Sequence, residues 1–195
     1  MVVDDGNMTI RVGIVELMLA LLVSCADLPK KQEKIFDLNN QSELYGKEVW
    51  SFEGRLAVVA EKDSFSAAIK WLHAKDEDTI ELSGPFGQGR TIIRFNAYQV
   101  HLDDGGEVRQ YYGDVDKLVS EQLGVKVPVS ALKFWLLGLV KPGDDYVERD
   151  KGFIQLEWLI HYPQMQQVGL LDMPRKIRVT KQKTKLKLII DQWSI

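Results

Sequence analysis

Three histidines, one cysteine and a scatter of carboxylates are the groups that could do chemistry in this chain. His73, His101 and His161 lie far apart in strand-like segments, so none has a partner at metal-ligand or proton-relay spacing. Each reads as a structural or surface residue, and the carboxylates fall on the polar faces of the same segments. There is no G-x-S-x-G elbow, no H-E-x-x-H helix and no phosphate-cradling Walker loop. Gly87-Gln88-Gly89 is a lone glycine pair outside any strand–loop–helix setting. No nucleophile, base and orienting group converge. The chain reads as a non-enzyme with no catalytic residue, no metal site and no cofactor.

Cys25 is the exception. It closes an apolar run in LMLALLVSCADLPK, Leu17 to Lys30. A single thiol excludes an intrachain disulfide. Met8-Thr9-Ile10-Arg11 followed by Leu17 to Val23 has the order of a signal peptide, and the run is shorter than the ~20 residues needed to span a bilayer. Leu22-Val23-Ser24-Cys25 resembles the bacterial lipobox, in which a small residue precedes the cysteine that is diacylated and becomes the new N-terminus. Cys25 is therefore expected to be a lipidation site, with residues 1–24 as the signal peptide. The other reading is a buried free thiol in an N-terminal helix. Asp4, Asp5 and Glu16 are acidic where a leader is usually basic; a start at Met8 would remove the first two. Ala26 follows the cysteine in place of the Asp that marks inner-membrane retention, which implies export to the outer membrane.

The elements that must carry these groups follow from periodicity. Residues 25–46 read as a lipidated tether leading into a short amphipathic helix, and 47–195 as one domain. From Val49 the period is two: Trp50, Phe52, Gly54, Leu56 and Val58 alternate with polar residues. Phe65, Ala67, Ile69, Trp71 and His73 share one face of the next strand. Ile80 and Leu82, then Ile93 and Phe95, then Val100 and Leu102 continue the pattern, and Asp103-Asp104-Gly105-Gly106 signals a hairpin into Val108–Tyr112. The period then turns helical. Asp114 is a cap before Val115, Leu118 and Val119, and Ser130 stands near the cap of a second helix bearing Leu132, Trp135, Leu136 and Leu139. Strands return at Tyr146–Arg149, at a single run from Ile154 through Trp158 to Tyr162, at Ile177-Val179 and at Leu186-Leu188-Ile190. Strands, a helical insertion and more strands lack the alternation of a parallel sheet. The fold class is mainly β (α+β): an open antiparallel half-barrel with helices plugging or lidding its apolar face.

Five tryptophans, Trp50, Trp71, Trp135, Trp158 and Trp193, fall in apolar-face contexts. They pack a core, or they line a wide apolar cavity for a hydrophobic ligand. On the cavity reading the strands contribute Trp50, Phe52, Leu56, Val58, Ile69, Trp71, Leu82, Phe95 and Trp158, and the helix contributes Trp135 and Leu136. Gly84-Pro85-Phe86-Gly87 is a tight turn. Its Phe86 ring either folds back on the core or is held out toward a membrane or partner. The net charge of −3 gives no argument for nucleic acid, but Arg175 to Ile195 carry seven Lys/Arg against Asp191 alone. That run is a solvated strand face or a contact for an acidic partner or anionic headgroups.

Taken together, the Cys25 motif, GRLAV at Gly54–Val58, the aromatic strand ending near Trp71, the strand–GPFG turn at Leu82–Gly87, VPVSALKFWLLGL and LKLIIDQW resemble the LolB family of outer-membrane lipoproteins. The resemblance implies a LolA/LolB-like half-barrel with a hydrophobic cavity. It implies a monomeric receptor, lipid-anchored on the periplasmic face of the outer membrane. Such a receptor takes client lipoproteins from a LolA-like periplasmic carrier, holds their acyl chains and inserts them among outer-membrane phospholipids. In the family an exposed apolar residue of a protruding loop promotes insertion, and that position matches Phe86. The alternative is a structural or lipid-binding envelope lipoprotein with a filled core.

Overall fold

Every second residue of the Val49 run is buried, as its alternation requires: Trp50, Phe52, Leu56 and Val58 point inward and Glu53, Arg55 and Val59 outward. The computed structural model describes residues 34–61, 64–84, 87 and 89–195. Among them, β1 (Val49–Val59), β2 (Ser64–Ala74), β3 (Glu77–Ser83), β4 (Thr91–Phe95), β5 (Gln99–Asp103) and β6 (Val108–Tyr112) make a meander. Two helices follow, α1 (Val115–Leu123) and α2 (Val129–Leu136). β7 (Tyr146–Arg149), β8 (Gly152–Gln155), β9 (Trp158–Val168), β10 (Leu171–Lys181) and β11 (Thr184–Ser194) complete one antiparallel sheet of eleven strands. Its order is β6-β5-β4-β3-β2-β1-β11-β10-β9-β8-β7, so β1 and β11 join two meanders.

Register turns the alternation into rows. Trp193, Phe52, Trp71, Ile80, Ile93 and Leu102 stand opposite one another across six adjacent strands. Val58, Leu186, Val179, Ile160 and Phe153 make a second row. All eleven of these side chains are buried, and each stabilises the fold by roughly 1.5–3 kcal/mol through the apolar area it removes from water. Gly54 sits at a register shift between β1 and β11, where a Cβ would collide with the carbonyl of Ile189.

The inner face is covered by Val119, Val125, Val127, Ala131, Leu132, Trp135 and Leu136, which join the same core. A 3-10 helix, Leu38–Gly46, adds Leu44, and Phe36 just before it stacks on Tyr162 with centroids 4.2 Å apart. These residues belong to the compact unit Glu33–Ile195.

One expectation needs correction and one needs a finer statement. The run from Ile154 to Tyr162 is two strands, β8 and β9, folded at Leu156-Glu157, whose φ values are 52° and 63°. Neither residue is a turn former, so the sequence carries no break there. Ser130 lies near the cap of α2, as expected, but is not the cap itself. Pro128 occupies the cap position without a side-chain bond, and Ser130 instead donates its backbone N–H and its hydroxyl to Asp116 of α1, at 2.8 and 2.7 Å.

Candidate functional site

The eleven residues assigned to a cavity all lie in one buried cluster on the inner face. Phe52 packs between Trp71 and Trp193, at 6.5 and 5.3 Å, and Trp135 lies 6.4 Å from Trp158. Three indole N–H groups are bonded. Trp71 donates to Asp78, Trp135 to Gln155 and Trp193 to the carbonyl of Pro174, at 2.8, 2.8 and 2.9 Å. A buried indole held in this way keeps one orientation. Asp78 departs from the expectation that carboxylates stay on polar faces: it is 2% exposed, and besides Trp71 it meets His73 Nδ1 at 3.0 Å. His73 stacks on Trp50, 5.3 Å between centroids, so this histidine is structural.

A cleft of about 890 Å³ lies between α1 with the segment after it and the turns β8–β9 and β10–β11. Its apolar wall is Val127, Pro128, Leu156 and Trp158; Lys117, Lys126 and Lys181 ring it, with Asp116 and Glu121. Trp158 connects the cleft to the packed interior, since it also touches Trp135. Lys181 fixes the near wall. Its ammonium donates to the Leu156 carbonyl at 3.2 Å, pairs with Glu157 at 2.7 Å and lies 6.0 Å from the Trp158 ring centre. On the far wall Asp114 caps α1 through the Lys117 N–H at 2.9 Å, and Gly124 ends the helix at φ 67°, the left-handed geometry that glycine adopts without penalty. Ser120 ties the next segment down by bonding the N–H and C=O of Val127. Together with the Asp116–Ser130 bonds, this makes α1, the linker and α2 one piece.

The antiparallel register puts the β3–β4 connection at the same end as this cleft. There the N–H of Gly87 bonds the carbonyl of Gly84 at 3.1 Å, and Gly87 has φ 76°. Pro85 and Phe86 lie outside the described residues, as do Cys25 and all of residues 1–33. The cleft wall from Val127, Leu156 and the α1 residues was not anticipated; the apolar VKVP between two helical stretches was the only available hint.

The family profile described as outer membrane lipoprotein LolB matches residues 48–193. The chain belongs to the LolB family. An outer-membrane lipoprotein LolB of Chromohalobacter salexigens is 33% identical over 95% of this chain and 91% of its own length. One from Nitrosococcus oceani is 30% identical, covering 95% and 98%. A LolA superfamily protein of Nitrosomonas europaea shares the fold, with a TM-score of 0.50 over 81% of this chain and 91% of that one at 7% identity. The half-barrel expected from strand order and the LolB resemblance are thus both borne out.

Proposed function

We propose that this protein receives acylated lipoproteins from a soluble LolA-like carrier and passes them into the outer membrane, anchored there through lipid on Cys25. The observation that carries the reading is the shared rim: a cleft with an apolar wall opens onto the core at the same end of the sheet as the Gly84–Gly87 turn. An acyl chain in water costs ~0.8 kcal/mol per methylene, so several chains cost tens of kcal/mol and must pass from one apolar surface to another. The chains enter along Leu156 and Trp158. Deeper seating separates the α1–α2 piece from the sheet and uses the inner aromatics as the bed. Transfer without a nucleotide runs on differential affinity from carrier to receptor to bilayer. Phe86 serves the last step.

Leu156 tests the entry route. It is 37% exposed and sits at φ 52°, a conformation Asp tolerates. Leu156→Asp is expected to fold normally and to accept labelled lipoprotein from the carrier at least about tenfold less well, because a carboxylate resists leaving water. Unchanged acceptance would place the entry elsewhere.

A second reading, an envelope lipoprotein with a permanently filled core, draws on the close packing of the same eleven residues. It predicts no uptake of a fatty-acid-like fluorophore, whereas the receptor reading predicts uptake that unlabelled cargo displaces.

A further inference from the structure

The outer face of the sheet is not uniform. Over β1–β3 several of its charges are paired: Lys70 with Glu53 at 2.8 Å, Glu81 with Arg90 at 2.8 Å and Arg55 with Asp191 of β11 at 3.1 Å. Around Arg178 of β10 and Lys187 of β11 no such pair forms among the described residues. Arg178 and Lys187 are exposed and stand directly opposite each other. Lys176 and Lys185 lie two residues away on their respective strands, on the same face. Among the described residues, neither Arg178 nor Lys187 has a carboxylate within ion-pair distance.

Like charges directly opposite on paired strands destabilise the pair. Cations often protect the edge of a sheet from pairing with other chains. That role is closed here, because β10 and β11 are interior strands. His161 stands opposite Arg178 on β9 and extends the row. Its imidazole is held below the ordinary range first by partial burial and then by Arg178 and Lys151, with Asp150 opposing them. Lys187 also borders a shallow groove of about 470 Å³ whose other walls include Ala57, Ser66, Ala68, Gly84 and Gly87. The groove therefore joins Lys187 to the β3–β4 turn.

We propose that the outer face of β10–β11, centred on Arg178 and Lys187, is a docking surface for anionic phospholipid headgroups. The inference rests on the membrane-delivery reading above and adds an orientation to it. The rest of the chain is acidic enough to leave the whole at −3, so an anionic bilayer attracts this face and repels the others. Phosphodiester groups supply the countercharge that the strands lack, and the small side chains of the groove let the surface approach closely. The receptor then stands on the bilayer with the turn and the cleft rim held beside it. A carrier protein as the countercharge is a different occupant, and the same measurement distinguishes it.

The test is amine labelling of the acylated protein, anchored in vesicles of phosphatidylcholine alone or with phosphatidylglycerol. Lys187 and Lys185 are expected to react at least about fivefold more slowly on the anionic vesicles, the effect of roughly one surface cation. High salt, which shortens screening to a few ångströms, should restore their reactivity. Lys47 and Lys75, at the opposite end of the sheet, should react equally on both. Arg178→Gln, a substitution at an exposed site, should reduce the protection of Lys187. Equal reactivity of Lys187 on both vesicles overturns the proposal, as does protection that appears only when carrier is added. Cargo transfer is scored on the same samples. Transfer without protection sinks this inference alone; protection without transfer sinks the receptor reading alone.

Discussion

Gln155 accepts the indole N–H of Trp135 at 2.8 Å, and both side chains are buried. The same oxygen accepts the Lys141 N–H at 2.8 Å, while its amide nitrogen donates to the carbonyls of Lys141 and Asp144 at 2.9 and 3.1 Å. One glutamine on β8 thus satisfies α2 and the loop that follows it. Gln155→Leu leaves two donors and two carbonyls without this partner. Each buried orphan costs about 1–3 kcal/mol, so a loss on the order of 3 kcal/mol is expected. For a domain of this size that is roughly 6–12 °C in Tm. Thermal unfolding of the variant measures it, and a change near zero would mean that water replaces the glutamine.

Asp116 joins the helices. Asp116→Ala removes both bonds to Ser130, a loss of about 2 kcal/mol for hydrogen bonds to a charged group. Hydrogen exchange should rise in α1 more than in β9–β11, because the strands keep their ladders. If α1 is what moves to admit acyl chains, uptake by the variant becomes faster while its final affinity changes little.

On the proposed reading, substitution of Phe86 separates acceptance from delivery. Phe86→Glu is expected to accept cargo from the carrier nearly as well as the parent and to fail at incorporation into liposomes, since the carboxylate resists entering the bilayer. Phe86→Leu should be close to neutral. Equal loss at both stages would move Phe86 into the cargo site or the core.

Two groups bound the pH range of stability. His161 has a depressed folded-state pKa, caused first by burial and then by Arg178 and Lys151. The unfolded chain binds that proton first, so stability falls as pH drops below about 6.5 and continues to fall through the folded pKa. Tyr162 is raised well above the phenol range by burial, and its hydroxyl donates to the Trp135 carbonyl at 2.7 Å. The unfolded state ionises first, and stability is lost as pH rises beyond about 10. Urea midpoints across pH should show both limbs, and His161→Gln should flatten the acid one near pH 6.

Much of this was legible in the chain. Trp50, Phe52, Leu56 and Val58 alternate cleanly, and the strand they predict is the strand observed. Asp114 is legible as a cap and is one. The β8–β9 fold was hidden because Leu156 and Glu157 adopt left-handed backbone without a glycine or asparagine to announce it. Parity could not separate core from cavity, since both put Trp71 and Trp135 on the same face. The row of cations was visible as composition only. That Arg178 faces Lys187 is a fact of register, which no single strand encodes.

The seam between β1 and β11 sets the order of assembly. Phe52 meets Trp193 and Val59 meets Lys185 across it, so the pairing that unites the sheet is also among its most distant in sequence. Each meander can form from local hairpins, but the chain closure that joins them is slow by topology. Until β11 has emerged, β1 and β10 are unpaired edges with apolar faces, the form of a strand most prone to wrong partners. A chain released without its last strand would thus be two half-sheets seeking a third, and chaperone demand in the periplasm should rise steeply with any lesion in Thr184–Ser194.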